Sequence, residues 1–231
     1  MKKVFLLLFL LTIKSHTQTF KGIIILNPLK GIGDETKLSE NAKKPIYFSY
    51  LYSNEISKQE LISKEGNSFD LFLNDTSKGL NFENGDIVIR PYSAVHYKNF
   101  SKNIYRFESE KIDQNTKKSN ISIKDSIPIY NWNLLNETQF ICGYECKKAT
   151  TTKKTSRLQS ITAWYCEKLA ISDGPLDFTG LPGLILQIEI NNSSIVKFEN
   201  IKLLEDEYFE IEEPINHSKM QSFAEYKNRD Q

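Results

Sequence analysis

The chain has 231 residues, 39% hydrophobic, 26% charged and 12% aromatic, enough for one large domain or two small ones with a core that needs no metal to hold it. It carries 30 Lys and Arg against 29 Asp and Glu; without residues 1–17, 30 less 3 leaves 27 bases against 29 acids. That balance argues against a footprint for nucleic acid or anionic lipid, and the 11 Tyr and 14 Phe suit strands more than helices. At the amino terminus Lys2 and Lys3 precede an apolar run, Val4–Leu11, extended through Thr12 to Ile13. The run is shorter than the roughly 20 residues that span a bilayer, and it reads as an export signal rather than a terminal core helix. Ser15 and Thr17 suit a cut before Gln18, so residues 1–17 are predicted to be a signal peptide. The first cysteine is Cys142, which argues against a lipid anchor. No later segment is long and apolar enough for a membrane helix, so the mature chain is predicted to work in the periplasm or outside the cell.

Strand-like runs follow in chain order: Lys21–Leu26, Ile46–Tyr52, Ser68–Leu73, Asp86–Arg90, Ile104–Glu110, Asn120–Lys124 and Tyr130–Leu135. Then come Gln139–Thr150, Leu158–Glu167, Leu184–Ile190 and Ile195–Leu204. In Ile104–Glu108 and Ile121–Lys124 the apolar positions fall two apart, the strand period. Turn chemistry separates the runs at Glu65–Asn67, Asn84–Asp86 and Asn191–Ser194, the last reading as a hairpin tip. Lys58–Ile62 fits a helical turn or a strand bend, and Asn216–Gln231 a short helix or a frayed tail. The predicted organisation is a signal peptide (1–17), an N-terminal strand and loop (18–44), one β-rich domain (45–215) and a polar tail (216–231). The fold class is all-β or β-dominated: a large twisted antiparallel sheet, or a half-open barrel, with little helix.

The most distinctive stretch is Trp164–Glu189. Gly174-Pro175 joins a permissive φ to a fixed one, and Gly180-Leu181-Pro182-Gly183 forms a second turn device. Pro182 suits the second place of a turn, and Gly183 the positive φ of a type II turn. Leu184 and Ile185 then open a buried strand. Gly180–Ile185 spells GLPGLI, preceded by Ala163-Trp164-Tyr165, Leu169-Ala170-Ile171, Gly174-Pro175 and Phe178. Upstream stand Trp132 and Gly143-Tyr144-Glu145-Cys146-Lys147-Lys148-Ala149. In these features, over roughly residues 45–205, the chain resembles the GLPGLI family of exported bacterial proteins. It departs at Leu158-Gln159, where the family often has Gly-Arg. The family has no assigned activity, so the resemblance implies a compartment rather than a reaction.

No constellation forces a reaction. His96 and His217 lie in no metal-ligand spacing, and Cys142 and Cys146 lack the second pair that zinc wants. No metal or cofactor is expected. A Cys146–His96 nucleophile pair competes with a buried cysteine and a surface histidine, and the latter is favoured. Asp173 and Asp177 fit local turn hydrogen bonding better than paired catalytic carboxylates. The Thr-rich stretch flanked by Lys147-Lys148 and Lys153-Lys154 reads as a polar turn. Trp132, Trp164, Tyr165 and Phe178 are the candidate binding residues, either lining an apolar pocket or filling a core. The first reading is therefore a non-enzymatic envelope protein binding a small apolar ligand or an envelope protein. The alternatives are a carrier of an apolar molecule or lipid, and a secreted hydrolase.

Export makes a disulfide possible, and three thiols allow one bond with one left over. The resemblance asks for a cysteine at Cys146, while Cys142 and Cys166 stand where it asks for none, which suggests that these two pair. A hairpin of Gln139–Thr150 and Leu158–Glu167 with its turn centred on Lys154 opposes positions adding up to 308, as 142 and 166 do. A turn centred on Ser156 opposes Cys146 to Cys166 instead, so the register decides. A Cys142–Cys146 bond within one extended strand is too long, at about 13 Å. The expectation is Cys142–Cys166, with Cys146 free and buried.

Overall fold

The computed structural model describes residues 18–29, 44–63, 93–112, 118–154, 158–204, 207–216 and 218–227. The predicted signal peptide, the strands Ser68–Leu73 and Asp86–Arg90, the turns at 65–67 and 84–86 and His217 lie outside these residues. Among them, apolar alternation builds eleven strands: β1 (Thr19–Pro28), β2 (Ile46–Ser53), β3 (Ile56–Leu61), β4 (Ser93–Asn99), β5 (Ile104–Ile112), β6 (Lys118–Asp125), β7 (Asn133–Ile141), β8 (Tyr144–Lys154), β9 (Leu158–Cys166), β10 (Leu184–Ile190) and β11 (Ser194–Leu204). A short helix, α1 (Phe223–Lys227), follows. The all-β expectation holds. β10 has its predicted bounds, and it is a buried strand between β9 and β11.

Three differences are local. Gln139–Thr150 is not one strand: the chain reverses at Cys142 (φ 51°) and Gly143 (φ 81°), the paired positive φ values of a two-residue hairpin turn. Asn54-Glu55 make the same device between β2 and β3, and Asn191-Asn192, also at positive φ, open a three-residue loop between β10 and β11. β7 starts at Asn133, so Tyr130–Trp132 belong to a link rather than a strand. β4 is a strand that the sequence pattern does not announce, and Lys58–Ile62, read as a helical turn or a strand bend, falls largely in the strand β3.

All strands are antiparallel to their neighbours, in the order β6-β5-β4-β3-β2-β1-β11-β10-β9-β8-β7. The two edges, β6 and β7, are consecutive in sequence. Laid flat, ten gaps of about 4.8 Å would separate them by roughly 48 Å. The chain from Asp125 to Asn133 reaches at most about 28 Å. The sheet therefore curls into an open trough, with residues 126–132 joining its edges.

Side chains alternate between the faces. Ile24, Phe48, Tyr50, Gln59, His96, Phe107 and Ile123 share the inner face through the strand registers. The segment between β9 and β10 (residues 167–183) fills the trough: Leu169, Ile171, Phe178 and Leu181 are buried with the inner-face core. Residues 207–216 strap the outer face, where Arg106 donates to Glu213 Oε1 at 2.6 Å and to Asn216 Oδ1 at 2.5 Å. Gln221 then bridges to Ile123 beside β6, which covers part of an otherwise bare edge. Ser222 and Glu225 form a reciprocal cap at the start of α1. The C-terminal stretch is thus packed against the sheet through residue 227.

Candidate binding site at the mouth of the trough

The filling segment is held at two depths. Deep in the trough, Lys98 of β4 meets Asp173: Nζ lies 2.5 Å from Oδ1, and both side chains are fully buried. Lys98 Nζ also donates to Gly174 O at 2.8 Å, and the Tyr50 hydroxyl donates to Asp173 Oδ2 at 2.9 Å. Gln59 grips the next residues, donating to Gly174 O at 2.9 Å and accepting from the Leu176 N–H at 2.7 Å. Leu176 sits at φ 56°, a conformation that a branched side chain adopts only when its surroundings impose it. The pair is buried and saturated with hydrogen bonds, so Asp173 is an anchor rather than the turn residue expected from sequence.

The second attachment lies at the mouth. Asp177 accepts from Lys153 Nζ of β8 at 2.6 and 2.9 Å and from the Tyr130 hydroxyl at 2.7 Å. Burial pushes its carboxyl up, but Lys153 and the Tyr130 hydrogen bond outweigh burial and hold it below the usual carboxylate range. Tyr130 stacks on Phe178 with centroids 5.0 Å apart and lies 5.7 Å from Trp132. Lys153 sits 4.9 Å over the Phe178 ring, a cation–π contact. Trp132 Nε1 donates to Thr179 O at 2.8 Å, and Thr179 Oγ1 donates to Pro128 O at 3.2 Å. The 126–132 link is thereby latched onto the filling segment.

Beside this latch is an open hollow of about 470 Å³ lined by Ile129, Tyr130, Asn131, Asn133, Thr150, Thr151, Thr152 and Ser160. The lining offers amides, hydroxyls and one aromatic ring, and no charged side chain among the described residues. Thr151 Oγ1 donates to Asn131 O at 2.8 Å, which ties the link to β8 across the floor. A second hollow, of about 410 Å³, lies on the outer face between the strap and Lys21, Ser49, Leu51, Lys58 and Glu60.

Of the four candidate binding residues, Trp132 and Phe178 come together here. Trp164 and Tyr165 do not. Trp164 is half-buried on the outer face, with Lys148 5.7 Å over its ring and Nε1 donating to Glu189 at 3.3 Å. Tyr165 is a core residue of the inner face, opposite Ile185. Tyr130, Lys153 and Asp177 join the site without being among the expected binding residues. The Thr-rich run, expected as a polar turn, is the body of β8, with Thr152 exposed and Thr150 and Thr151 half-buried.

The remaining candidates have structural placements. Gly183 (φ 150°) closes a three-residue turn, its N–H donating to Leu181 O at 2.8 Å. Pro182 is its central residue, so the turn is not type II. Gly180 has φ 92° and is exposed, and Gly174 packs on Ile185. His96 and Cys146 have separate surroundings. His96 Nδ1 pairs with the Tyr105 hydroxyl at 2.8 Å, and burial lowers its pKa to about 3. Cys146 is buried near Cys142 and Cys166, and burial first raises its thiol to about 12. The Cys146–His96 pair is not assembled.

The cysteine expectation is also corrected. β8 and β9 pair Lys147 with Tyr165 through to Lys154 with Leu158, a register centred on Ser156 and not on Lys154. Cys142 sits in the β7–β8 turn, where its Sγ donates to Phe198 O at 3.3 Å. All three thiols are free in this structure, so the Cys142–Cys166 pairing loses its geometric basis.

Three comparisons bear on these features. The family model described as "N-glycanase peptide, N-terminal domain" matches residues 88–228, which takes in the link, the filling segment and the strap. Two solved structures of PNGF-II, in space groups C2 and P21, are similar with a TM-score of 0.51 at 18% and 19% identity. Each match covers 91% of this chain and 32% of the PNGF-II chain, so the chain spans about a third of the length of those proteins. At that identity the likeness establishes the fold alone. No curated protein matches.

Proposed function

Because this chain belongs to the N-glycanase peptide N-terminal domain family, we propose that it is a non-catalytic binding domain of an exported protein whose mouth hollow receives a neutral glycan. The observation that carries the reading is the lining of that hollow. A sugar offers hydroxyls that both donate and accept, plus an apolar C–H face. Asn131, Asn133, Thr150, Thr152 and Ser160 match the hydroxyls, and the Tyr130 ring offers a surface for the C–H face. A lining of uncharged polar groups favours a neutral ligand over an anionic one. The latch holds this surface rigid, which lowers the ordering cost of binding. In this reading the domain presents a glycan to a glycan-cleaving unit. Export rests on the Lys2–Thr17 pattern and the GLPGLI resemblance, and the latter adds no activity.

The buried carboxylates support a non-catalytic role. Asp173 is neutralised by Lys98 and Asp177 by Lys153, so neither is poised as an acid or base toward substrate. The carrier reading finds less support, because the trough it needs empty is filled by Leu169, Ile171, Phe178 and Leu181.

The test is a titration with an N-linked glycopeptide and with the same peptide lacking its glycan, read by calorimetry and by Trp132 emission. Binding should require the glycan. Asn131→Ala with Asn133→Ala, both exposed, should weaken it by about tenfold, the loss of one or two net hydrogen bonds, with the melting temperature unchanged. Equal binding of both peptides, or none at millimolar concentration, would refute the reading.

A further inference from the structure

The free thiols of β8 and β9 have a relation that the expected pairing missed. The β8–β9 ladder runs up to the rung that opposes Lys147 to Tyr165. One step further in the same register opposes Cys146 to Cys166. Directly opposed residues of an antiparallel ladder project to the same face, with Cα atoms about 4.5–5.5 Å apart, within the range a disulfide spans. Both cysteines have 0% exposure, so neither side chain turns out to solvent. Their proximity has a second sign: after burial itself, the neighbouring Cys166 thiol is the largest influence raising the Cys146 thiol.

We propose that Cys146 and Cys166 are a disulfide site, a staple across β8 and β9 that closes when the chain folds under oxidising conditions. Cys142 stays out of it, occupying the hairpin turn with its Sγ on Phe198 O. The staple sits at the root of the filling segment. The Cys166 carbonyl accepts from the Leu169 N–H at 3.2 Å and forms the wall against which Gly183 packs. Fixing Cys166 to β8 therefore fixes the entry of the chain into the trough and the exit beside it.

The chemistry is thiol–disulfide exchange with a small-molecule disulfide. The thiolate of one cysteine attacks a sulfur of the oxidant, breaks its S–S bond and releases one thiol. The second cysteine then attacks the protein sulfur of the mixed disulfide, forms the Cys146–Cys166 bond and releases a second thiol. The two cysteine protons end on the two released thiols, and the oxidant is reduced by two electrons. In the closed fold both sulfurs are buried and Cys146 is held as the unreactive thiol, so exchange belongs to the folding stage.

The experiment refolds the full chain from denaturant in a mixture of oxidised and reduced glutathione, alkylates the remaining thiols and maps peptides without reduction. The expected result is an intact mass lower by two hydrogens, a crosslink joining the Cys146 and Cys166 peptides, and an alkylated Cys142. Cys142→Ser should form the same crosslink, and its melting temperature should fall on reduction. A crosslink containing Cys142, three alkylated thiols in the refolded protein, or loss of the crosslink in Cys142→Ser would overturn the proposal.

Discussion

Three glycines separate two reasons why a position excludes a side chain, and substituting each with alanine measures them independently. Gly143 has φ 81°, with nothing within 4 Å of the place a Cβ would take; its substitution costs only the left-handed backbone, about 1–2 kcal/mol. Gly174 needs no such conformation, but an added Cβ would lie 2.7 Å from Ile185 Cβ and 3.1 Å from Phe178 O. Overpacking of that kind costs about 1–3 kcal/mol. Gly183 combines both: φ is 150°, and a Cβ would lie 2.2 Å from Cys166 O and 2.6 Å from its carbonyl carbon. Its neighbours are backbone atoms of β9, which cannot swing aside as a side chain can. The two costs then sum to roughly 2–5 kcal/mol. For a chain of this size each kcal/mol moves the melting temperature by about 2–4 °C. Gly183→Ala should therefore melt about 4–20 °C lower, Gly174→Ala between, and Gly143→Ala about 2–8 °C lower. Thermal unfolding followed by circular dichroism, with urea titration as a check on ΔG, supplies the comparison. A Gly183→Ala protein no less stable than Gly143→Ala would refute the packing argument for the Gly180–Gly183 turn.

Breaking the buried Lys98–Asp173 pair should be severe. Lys98→Met leaves the Asp173 charge buried among Tyr50 and the inner wall and should cost about 3–5 kcal/mol, whereas Lys98→Met with Asp173→Leu should recover part of the loss in urea unfolding; a double variant weaker than the single one contradicts this account of the anchor. His96 should give the fold an acid sensitivity of defined sign. Burial lowers its folded pKa from 6.5 to about 3, so the unfolded chain binds a proton that the native state refuses. The stability it permits is complete above pH 6.5 and falls by up to about 1.4 kcal/mol per pH unit from there toward pH 3. Asp177 does not add to the slope above pH 4.5, because the stability from its depressed carboxyl is complete above the ordinary value of 3.8 and is lost only as pH falls from there through its folded pKa. Urea midpoints at pH 7, 5.5 and 4.5 should show the slope in the wild type and a flatter one in His96→Gln; parallel slopes would exclude His96 as the source.

What was legible in the sequence follows from the range of the forces involved. β10 and β11 announce themselves because alternation or a continuous apolar run, bounded by Asn191–Ser193, is a local signal that the long-range fold only confirms. β3 and β4 give no such signal because their inward positions carry Ser57, Gln59, His96 and Lys98. Ser57, Gln59 and Lys98 are buried without being apolar and His96 is half-buried, and Gln59 and Lys98 are held there by partners from distant parts of the chain. Lys98 has no reason to be buried until Asp173 arrives 75 positions later in the chain, and Gln59 none until Gly174 and Leu176 supply a carbonyl and an N–H. Hydropathy patterning reads such residues as solvent-facing. The same limit hides the mouth site: Lys153 and Asp177 look like surface charges, and only the curl of the sheet brings β8 to the filling segment. The curl itself is readable only once the strand order is known, because it follows from β6 and β7 being both sequence neighbours and opposite edges. Register is the intermediate case. The sequence limits the β8–β9 turn to centres at Lys154 or Ser156, and the two differ by a shift that keeps every side chain on the same face. Hydrophobic pattern therefore cannot choose between them. The ladder from Lys147–Tyr165 to Lys154–Leu158 chooses Ser156, and with it moves the opposed cysteine from Cys142 to Cys146.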